Sequence, residues 1–246
     1  MKLSTYCDLL IQWLEEKRQQ YYQLDGYMLG LSGGIDSAVC AHLLAKTGSP
    51  VHILMLPASV SSEQDLRDAE QVLQDTGLTG QTISIEPLYQ LALTMLQSAL
   101  HPAPERQQVL HGNLMARIRM LMLFTTAQSH RAIVVGTDNA AEWHTGYFTK
   151  FGDGAADVVP LIHLRKEQVY ELAKYLGVHR RLIEKAPSAG LWTGQTDESE
   201  MGVSYAELDA FLRGEAVSEI AQERISFWHE RSHHKRTLPL APPLPH

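Results

Sequence analysis

Two serines, two adjacent glycines and an aspartate lie together in the segment Gly30-Leu31-Ser32-Gly33-Gly34-Ile35-Asp36-Ser37. Adjacent glycines permit positive φ angles and a close approach of the backbone, so successive N–H groups can converge on an anion. The serine hydroxyls add hydrogen-bond donors, and the Asp36 carboxylate suits a magnesium ion that bridges phosphate oxygens. The segment also lies between an apolar run and a helical pattern, where the positive end of a helix would face the anion. We therefore predict that this segment binds the phosphates of ATP.

This segment differs from the commonest phosphate-binding loop. The pattern Gly-x-x-x-x-Gly-Lys-Ser/Thr is absent here, so the lysine that accompanies the β and γ phosphates in that loop is missing. The sequence Ser-Gly-Gly-Ile-Asp-Ser instead resembles the pyrophosphate loop of the ATP pyrophosphatase superfamily, whose members cleave ATP between the α and β phosphates and leave an adenylated substrate. An isolated Gly-Gly pair is more often an ordinary turn. The two serines and the aspartate in register favour the phosphate site.

A second group of polar residues follows the apolar run 131–136. Thr137 is placed to contact ATP, and Glu142 is placed to complete a magnesium site with Asp36. A carboxylate in a first helical turn is, however, more commonly there for helix electrostatics. The next segment, 146–157, is a glycine-spaced loop with one lysine and two aspartates, and such loops often carry function.

Alternating strands and helices must position these residues. Apolar periodicity predicts strands over 26–31, 51–56, 82–85 and 131–136, and helices over 5–20, 35–46, 62–76, 88–100, 110–128, 165–176, 204–213 and 217–231. This alternation predicts an α/β, Rossmann-like fold: a doubly wound, mostly parallel sheet with helices on both faces and ligands at the carboxyl ends of the strands. We expect one domain over 1–237 and a mobile, proline-rich tail over 238–246.

Composition excludes several classes of function. The net charge of −7 argues against broad electrostatic binding of nucleic acid, so an anionic ligand must be met by local cations. Cys7 and Cys40 lie far apart without a Cys-x-x-Cys pair, which indicates neither a disulfide framework nor a thiolate zinc site. No apolar run approaches about 18 residues, and the amino terminus lacks the pattern of a signal peptide. We expect a soluble, cytoplasmic protein.

Over nearly its whole length the chain resembles the ammonia-dependent NAD synthetases, which belong to the adenine nucleotide alpha hydrolase-like folds. The resemblance is carried by the 30–37 loop and by Ala116-Arg117-Ile118-Arg119-Met120, Gly136-Thr137, the 146–157 loop, Lys185-Ala186-Pro187-Ser188-Ala189, Gly202-Val203-Ser204-Tyr205 and His234-Lys235-Arg236. It implies an enzyme that adenylates the nicotinic acid carboxylate of deamido-NAD and lets ammonia displace AMP, in the last step of NAD biosynthesis. Adenylation supplies the leaving group that a carboxylate lacks, while magnesium and the loop stabilise the charge that grows on pyrophosphate.

The resemblance also implies a role for each matching residue. The implied ATP contacts are Gly30, Leu31, Ser32, Gly33, Gly34, Ile35, Asp36, Ser37, Thr137, Lys166 and Ser188. Asp36 and Glu142 are the implied magnesium ligands. The implied deamido-NAD contacts are Arg117, Lys150, Asp157, His234 and Lys235. Without the family resemblance, Lys166 would be interpreted as a solvated charge at the start of a helix. Arg117 and Arg119 lie two apart on one helix and cannot both face the same way, so only Arg117 is assigned a ligand.

The second step requires a base, because ammonia is largely ammonium at neutral pH. Our hypothesis is that Asp153 and Asp157 hold and deprotonate ammonium as the 146–157 loop closes over the adenylate. Aspartates next to glycines also shape turns, and that reading stays open. Gly190 stands where the family commonly has aspartate, which puts local contacts in doubt but not the reaction.

The family further implies a homodimer in which the helices near Leu110 and Val217 contribute, although amphipathic helices cover a sheet equally well. Two other functions remain open. The first is a related adenylating ligase for a different nucleotide carboxylate, and the second is an adenine-nucleotide sensor without turnover. The 146–157 loop argues against the first, and the carboxylates Asp36, Glu142 and Asp153 argue against the second.

Overall fold

The computed structural model describes residues 2–187, 196–237 and 239–242. Within these ranges four strands form one parallel sheet in the order β3-β2-β1-β4. The strands are β1 (Gly26–Gly30), β2 (Val51–Met55), β3 (Gly80–Thr82) and β4 (Ala132–Val135). In the central strand, Leu29 pairs with Ile53 on one side and with Val135 on the other. The predicted α/β fold with a parallel sheet is confirmed.

Helices connect and cover the strands. They are α1 (Leu3–Glu16), α2 (Ile35–Ala45), α3 (Glu63–Thr76), α4 (Glu86–Leu96), α5 (Gln107–Ser129), α6 (Ala140–Thr145), α7 (Lys166–Leu176), α8 (Arg180–Glu184), α9 (Asp197–Met201), α10 (Tyr205–Leu212) and α11 (Glu219–Arg231). A π-helical turn, Lys17–Tyr22, continues α1. Every long helix expected from the sequence is present to within a few residues. The short helices α6, α8 and α9 were not predicted, because five or six residues hardly reveal a period of 3.6.

The sheet is buried on both faces. Successive side chains of a strand point to opposite faces, so Tyr27 and Leu29 pack with α1, α2, α3 and α7. Met28 points the other way and packs against Met115 and Ile118 of α5. Helices therefore cover both faces, as the β–α alternation predicted. This burial explains why β1 and β4 read as apolar runs rather than as alternating patterns.

The third strand lies earlier in the chain than its sequence predicted. We expected a strand over 82–85, where Ile83 and Ile85 suggest alternation, but the regular ladder covers Gly80–Thr82. The two isoleucines continue along β2 and donate single backbone hydrogen bonds to Met55 and Pro57, at 2.9 Å each. Pro57 has no N–H to return, so the pairing continues without a regular ladder.

The strand order reverses between β1 and β4, since β2 and β3 lie on one side of β1 and β4 lies on the other. In open parallel sheets this reversal leaves a crevice at the carboxyl ends of the two strands. The segment 30–37 follows β1, and the segment 136–142 follows β4. Both segments that the sequence analysis selected are therefore placed at the same crevice.

A smaller cluster of helices borders the crevice. Side chains of α6, α9, α10 and α11 pack together around Tyr205, Leu208 and Ile225. In the described ranges no helix is long and apolar enough to cross a membrane. Of the predicted tail, residues 238 and 243–246 lie outside the described ranges.

Candidate active site

A cavity of about 340 Å³ opens at the carboxyl ends of β1 and β4. Residues from both predicted segments line it, together with residues from α5, α7 and the 146–157 loop. Its polar and charged lining includes Ser32, Asp36, Asp65, Arg119, Thr137, Asp138, Glu142, Asp153, Lys166, Lys185 and Asp197. A concave site of this size with convergent polar groups is typical of a small-molecule site.

The segment 30–37 closes on itself through its two serines. The Ser32 and Ser37 hydroxyl oxygens lie 3.0 Å apart, and the Gly34 N–H donates to the Ser32 oxygen over 3.2 Å. Gly34 is also the N-cap of α2 and supplies no side chain to cap it. The first N–H groups of α2 are thus left for an anion at the positive end of the helix. This geometry fits the predicted phosphate site.

Gly33 is held by α3 and by the segment after α8. Its φ angle is +79°, and a Cβ placed there would lie only 2.0 Å from the backbone oxygen of Asp65. Lys185 donates to the Gly33 carbonyl oxygen over 3.0 Å, to Asp68 over 3.0 Å and also to Asp65. The loop is therefore fixed on its outer side by a lysine to which the sequence analysis gave no role.

Lys166 connects the two predicted metal ligands. Its side chain is only 2% exposed, and its Nζ lies 2.5 Å from Asp36 Oδ2 and 3.7 Å from Glu142 Oε1. Burial by itself lowers the pKa of this lysine, but the two carboxylates outweigh burial and raise it. Lys166 is therefore a buried cation at the first turn of α7 rather than a solvated charge.

Glu142 has both of the roles that its position suggested. It lies at the third position of α6, where the Asn139 N–H donates to it over 3.0 Å in a capping box. It also lines the cavity. Burial raises the pKa of Glu142 to about 8, and the negative charge of Asp36 adds to this effect while Lys166 opposes it. Capping thus fixes a carboxylate whose charge is costly without a cation nearby.

The pair Asp36 and Glu142 fits magnesium. Both are hard oxygen donors beside the segment 30–37, and Asn139 Nδ2 orients Asp36 by donating to it over 3.1 Å. No cluster of three or more metal-binding side chains occurs among the residues that the structure describes. Mg²⁺ is commonly held by one or two carboxylates together with substrate phosphates and water. The donor set therefore suits a magnesium ion that arrives with a nucleotide.

The structure separates the two aspartates of the 146–157 loop. Asp153 lines the cavity, accepts a hydrogen bond from the Thr149 N–H over 2.9 Å, and has a pKa raised by burial. Asp157 instead accepts from the N–H of Val134 in β4 over 2.8 Å and is not among the cavity-lining residues. Asp153 is therefore brought to the site, whereas the Asp157 carboxylate supports the edge of the sheet. A direct role for Asp157 stays a prediction.

Four predicted contacts of the dinucleotide lie together outside the cavity. Arg117 donates to the Lys150 carbonyl over 3.4 Å, and Lys150 donates to the His234 carbonyl. Lys235 donates to the carbonyls of Gly146 and Phe148 over 2.8 and 2.6 Å. These contacts form a basic cluster of Arg117, Lys150, His234 and Lys235 around the 146–157 loop. Ser188 and Gly190 lie outside the described residues.

Sequence reasoning assigned no role to several cavity residues, among them Lys185, Arg119 and Asp138. Arg119 lines the cavity and donates to the Leu56 carbonyl over 2.9 Å, while Arg117 is exposed on the other side of α5. A signal existed, because Arg119 lies four residues after the buried Met115 and so on the same face. Asp138 also lines the cavity and is 5% exposed. Its position directly after Thr137 at a strand end could have revealed it.

Comparison with known proteins gives one consistent family. Residues 6–239 match the family described as NAD synthase. The NH₃-dependent NAD⁺ synthetase of Mannheimia succiniciproducens is 64% identical over 245 residues, which cover 100% of this chain and 98% of that protein. The structure of an NMN synthetase from Francisella tularensis has a TM-score of 0.95 and 50% identity, covering 99% of this chain and 100% of that one. The NH₃-dependent NAD synthetase of Campylobacter jejuni has a TM-score of 0.80 and 27% identity, with the same coverage.

Proposed function

The chain belongs to the NAD synthase family, and from this we infer that it is an ATP-dependent ligase that forms a C–N bond. It amidates the nicotinic acid carboxylate of deamido-NAD with ammonia through an adenylated intermediate, and it releases AMP and pyrophosphate. This reaction is the last step of NAD biosynthesis. The observation that carries the assignment to this chain is the convergence of the 30–37 loop, Asp36, Glu142 and Lys166 in one cavity.

The first half-reaction is assigned to the β1 side of the cavity. The N–H groups and serine hydroxyls of the 30–37 loop bind the ATP phosphates, with Thr137 contacting the nucleotide from β4. Asp36 and Glu142 would hold magnesium, which supplies charge neutralisation on the leaving pyrophosphate. Lys166 pairs with both carboxylates and balances their charge before the nucleotide binds. Ser188 is kept as an ATP contact by the family resemblance alone.

The second half-reaction is assigned to the 146–157 side. Asp153 lies in the cavity, where a carboxylate can attract ammonium toward the activated acyl carbon. The basic cluster of Arg117, Lys150, His234 and Lys235 suits the phosphates of the nicotinate nucleotide. Asp157 positions this side of the site through its hydrogen bond to β4. The cavity thus has separate regions for the leaving pyrophosphate and for the incoming nucleophile.

Product analysis by mass spectrometry tests the whole assignment. The purified chain is mixed with magnesium, ATP and deamido-NAD, with either ammonium or glutamine as the nitrogen source. We expect NAD, AMP and pyrophosphate in equal amounts with ammonium, and little NAD with glutamine. ADP and phosphate in place of AMP and pyrophosphate would contradict the adenylation chemistry, and no amide product would refute the ligase.

A second substrate has specific support. The solved structure with a TM-score of 0.95 and 50% identity is of an NMN synthetase, and it is more similar to this chain than the NAD synthetase with a TM-score of 0.80 and 27% identity. The same chemistry on nicotinic acid mononucleotide would give NMN. Comparison of kcat/KM for deamido-NAD and for nicotinic acid mononucleotide decides which carboxylate is preferred, because the product masses differ by a whole adenylate unit.

We further propose a cytoplasmic homodimer. Large apolar side chains are exposed on α4, α5 and α11, among them Met95, Val109 and Ile220. A second copy that covers them would remove apolar surface from water. Cys7 and Cys40 are free and buried, which fits a reducing compartment.

A further inference from the structure

Asp138 differs from every other acid of the cavity in its hydrogen bonding. It lies three residues after Val135, the last residue of β4, it is 5% exposed, and it lines the cavity. No hydrogen bond or ion pair to its carboxylate occurs among the residues that the structure describes. No enclosed side-chain oxygen or nitrogen of the described residues lacks a hydrogen-bond partner, so the Asp138 carboxylate oxygens are open to the cavity that this residue lines. Such a group points to a ligand that supplies the missing donors.

The neighbouring acids are already satisfied by the protein. Asp36 accepts from Lys166 and Asn139, and Glu142 accepts from the Asn139 N–H. Asp153 accepts from the Thr149 N–H. Asp138 alone in this part of the described chain keeps both oxygens without a protein donor. Of these four described acids, Asp138 is therefore the one whose oxygens are left for the hydrogen-bond donors of a ligand.

The electrostatic surroundings of Asp138 favour a small cation. Burial is the main cause that raises the pKa of Asp138, and the negative charges of Asp153, Glu142 and Asp36 raise it further. Lys235 opposes this effect, but its Nζ is occupied by the carbonyls of Gly146 and Phe148. A cation between Asp138 and Asp153 would relieve the repulsion between these two acids. An ion that donates hydrogen bonds would also satisfy the Asp138 oxygens, which accept none from the described residues.

Ammonium has these properties, and the proposed reaction consumes its conjugate base. We propose that Asp138 binds the ammonium ion beside the activated carboxyl group and accepts its proton, with Asp153 as the second carboxylate of the site. This inference rests on the proposed function and adds a residue to it. It also gives a role to two acids that line a cavity that must otherwise receive anionic substrates.

The chemical step balances with Asp138 as the base. One N–H proton of ammonium passes to the Asp138 carboxylate, and the freed lone pair attacks the acyl carbon of the adenylate. The C–N bond forms, and the C–O bond to AMP breaks as the AMP oxygen takes its electron pair. The second proton lost by nitrogen leaves with the departing phosphate. The products are the amide, AMP and a protonated Asp138, which returns its proton to water.

The variant Asp138→Asn tests this role by separating three reactions. Pyrophosphate–ATP exchange in the presence of deamido-NAD and the absence of ammonium reports adenylation. Amide formation from ammonium reports the complete reaction. Hydroxamate formation from hydroxylamine reports acyl transfer to a nucleophile that is largely uncharged at neutral pH and needs no base to release its lone pair.

We expect Asp138→Asn to keep exchange and hydroxamate formation within about threefold of the unaltered chain. Amide formation from ammonium should fall by about 10² to 10⁴-fold, the usual contribution of a positioned base. The variant Asp138→Glu should recover part of this loss because it restores a carboxylate. The exposed Asp8→Asn variant is the matched control and should change none of the three rates.

Three results would overturn the proposal. Amide formation within threefold of normal in Asp138→Asn would show that this carboxylate is not needed for ammonium. An equal loss with ammonium and hydroxylamine would place Asp138 in acyl transfer itself, and a loss of exchange would place it in adenylation. Failure of the proposed function is a separate outcome, since it would appear in the unaltered chain as the absence of amide with ammonium.

Discussion

Lys166 shows how a single side chain can keep two carboxylates ready for a metal ion. A buried cation is stable only when it is paired, and here Asp36 and Glu142 supply the pairing at 2.5 and 3.7 Å. The Tyr205 ring, centred 5.0 Å from Nζ, closes the other side of the lysine. The three charged groups therefore depend on one another, and removal of the lysine leaves two negative charges close together.

We predict that Lys166→Met lowers kcat/KM by about 10²-fold or more, because the ATP-binding carboxylates lose their counter-ion and their orientation. The free energy of unfolding should fall by about 3 to 5 kcal/mol, since two largely buried carboxylates are left without their partner. Steady-state kinetics and urea denaturation measure the two effects. Lys174→Met, on the exposed side of the same helix, is the control. Normal kinetics in Lys166→Met would contradict the assigned role.

Gly33 and Gly48 form a matched pair for testing the loop. Both have positive φ angles, +79° and +75°, but only a Cβ at Gly33 meets the protein, whereas a Cβ at Gly48 has nothing within 4 Å. Gly48→Ala should cost roughly 1 to 2 kcal/mol of backbone strain and leave ATP binding unchanged. Gly33→Ala should cause the same backbone strain and also push the loop away from α3, because the added Cβ meets the Asp65 backbone. It should therefore weaken ATP binding at least about tenfold. Calorimetric titration with ATP checks this, and equal affinities for both variants would refute the explanation.

At the residue scale, the sequence indicated which residues could be functional better than it indicated which residues are in contact. Asp36, Glu142, Lys166 and Asp153 all line one cavity. Motif spacing selected Asp36 and Glu142 near strand ends, whereas the role of Lys166 came from the family resemblance. The contact between Asp157 and β4 could not be foreseen, since it depends on where the 146–157 loop returns to the sheet. Arg119 could have been foreseen from the buried face of α5.

The first helix is attached to the sheet by one carboxylate. Glu15 accepts hydrogen bonds from Tyr27 of β1 over 2.7 Å, from Ser49 over 2.8 Å and from Arg18 over 2.7 Å. Burial alone raises the pKa of Glu15, but these three donors outweigh burial and lower it to about 2. The docking of α1 therefore depends on the ionised form of this side chain.

We predict that Glu15→Gln lowers the free energy of unfolding by about 2 kcal/mol at pH 7. The folded pKa lies below the unfolded value near 4.5, so the stabilisation is complete above about pH 4.5 and is lost as the pH falls toward 2. The difference between the unaltered chain and the variant should therefore shrink over this range. Denaturation at a series of pH values measures it, with Glu16→Gln as the exposed neighbouring control. A difference independent of pH would argue against the ionised contact.

Long helices were predicted from the sequence more reliably than short ones. The helices α5 and α7 have enough turns for their apolar faces to be recognised, and the strands β1 and β4 are uninterrupted apolar runs. The short α6 and α9 are defined by caps such as Asn139 and Thr196, whose hydrogen bonds can be assigned only when the backbone is known. The offset of β3 has the same origin, because alternation is visible in sequence but ladder register is not.

At the scale of the whole molecule, the charge of −7 opposes the approach of anionic substrates. The positive groups are accordingly placed where substrates are expected, at Lys166, Lys185 and Arg119 in the cavity and at the basic cluster beside the 146–157 loop. Local placement thus compensates for an unfavourable total charge.

We predict that the chain sediments at a mass near twice the 27.5 kDa of one chain. Ile220 on α11 is 72% exposed, and Val109 on α5 is also exposed. A charge at an apolar interface is costly to bury, so Ile220→Glu and Val109→Glu should shift the mass toward that of a single chain. Leu240→Glu, at an exposed leucine of the carboxyl-terminal segment, is the control. A single-chain mass for the unaltered protein would refute the dimer.

Because the strand order reverses, the site joins segments that are far apart in the chain. This separation determines when the site can assemble during synthesis on the ribosome. Asp36 receives its hydrogen bond from Asn139 103 residues later and its ion pair from Lys166 130 residues later. At translation rates of about 5 to 20 residues per second, roughly 7 to 26 seconds separate the emergence of the phosphate loop from that of its lysine. A nascent chain therefore carries the ATP loop long before it can retain the nucleotide, and fragments that end before α7 should neither capture nor consume ATP.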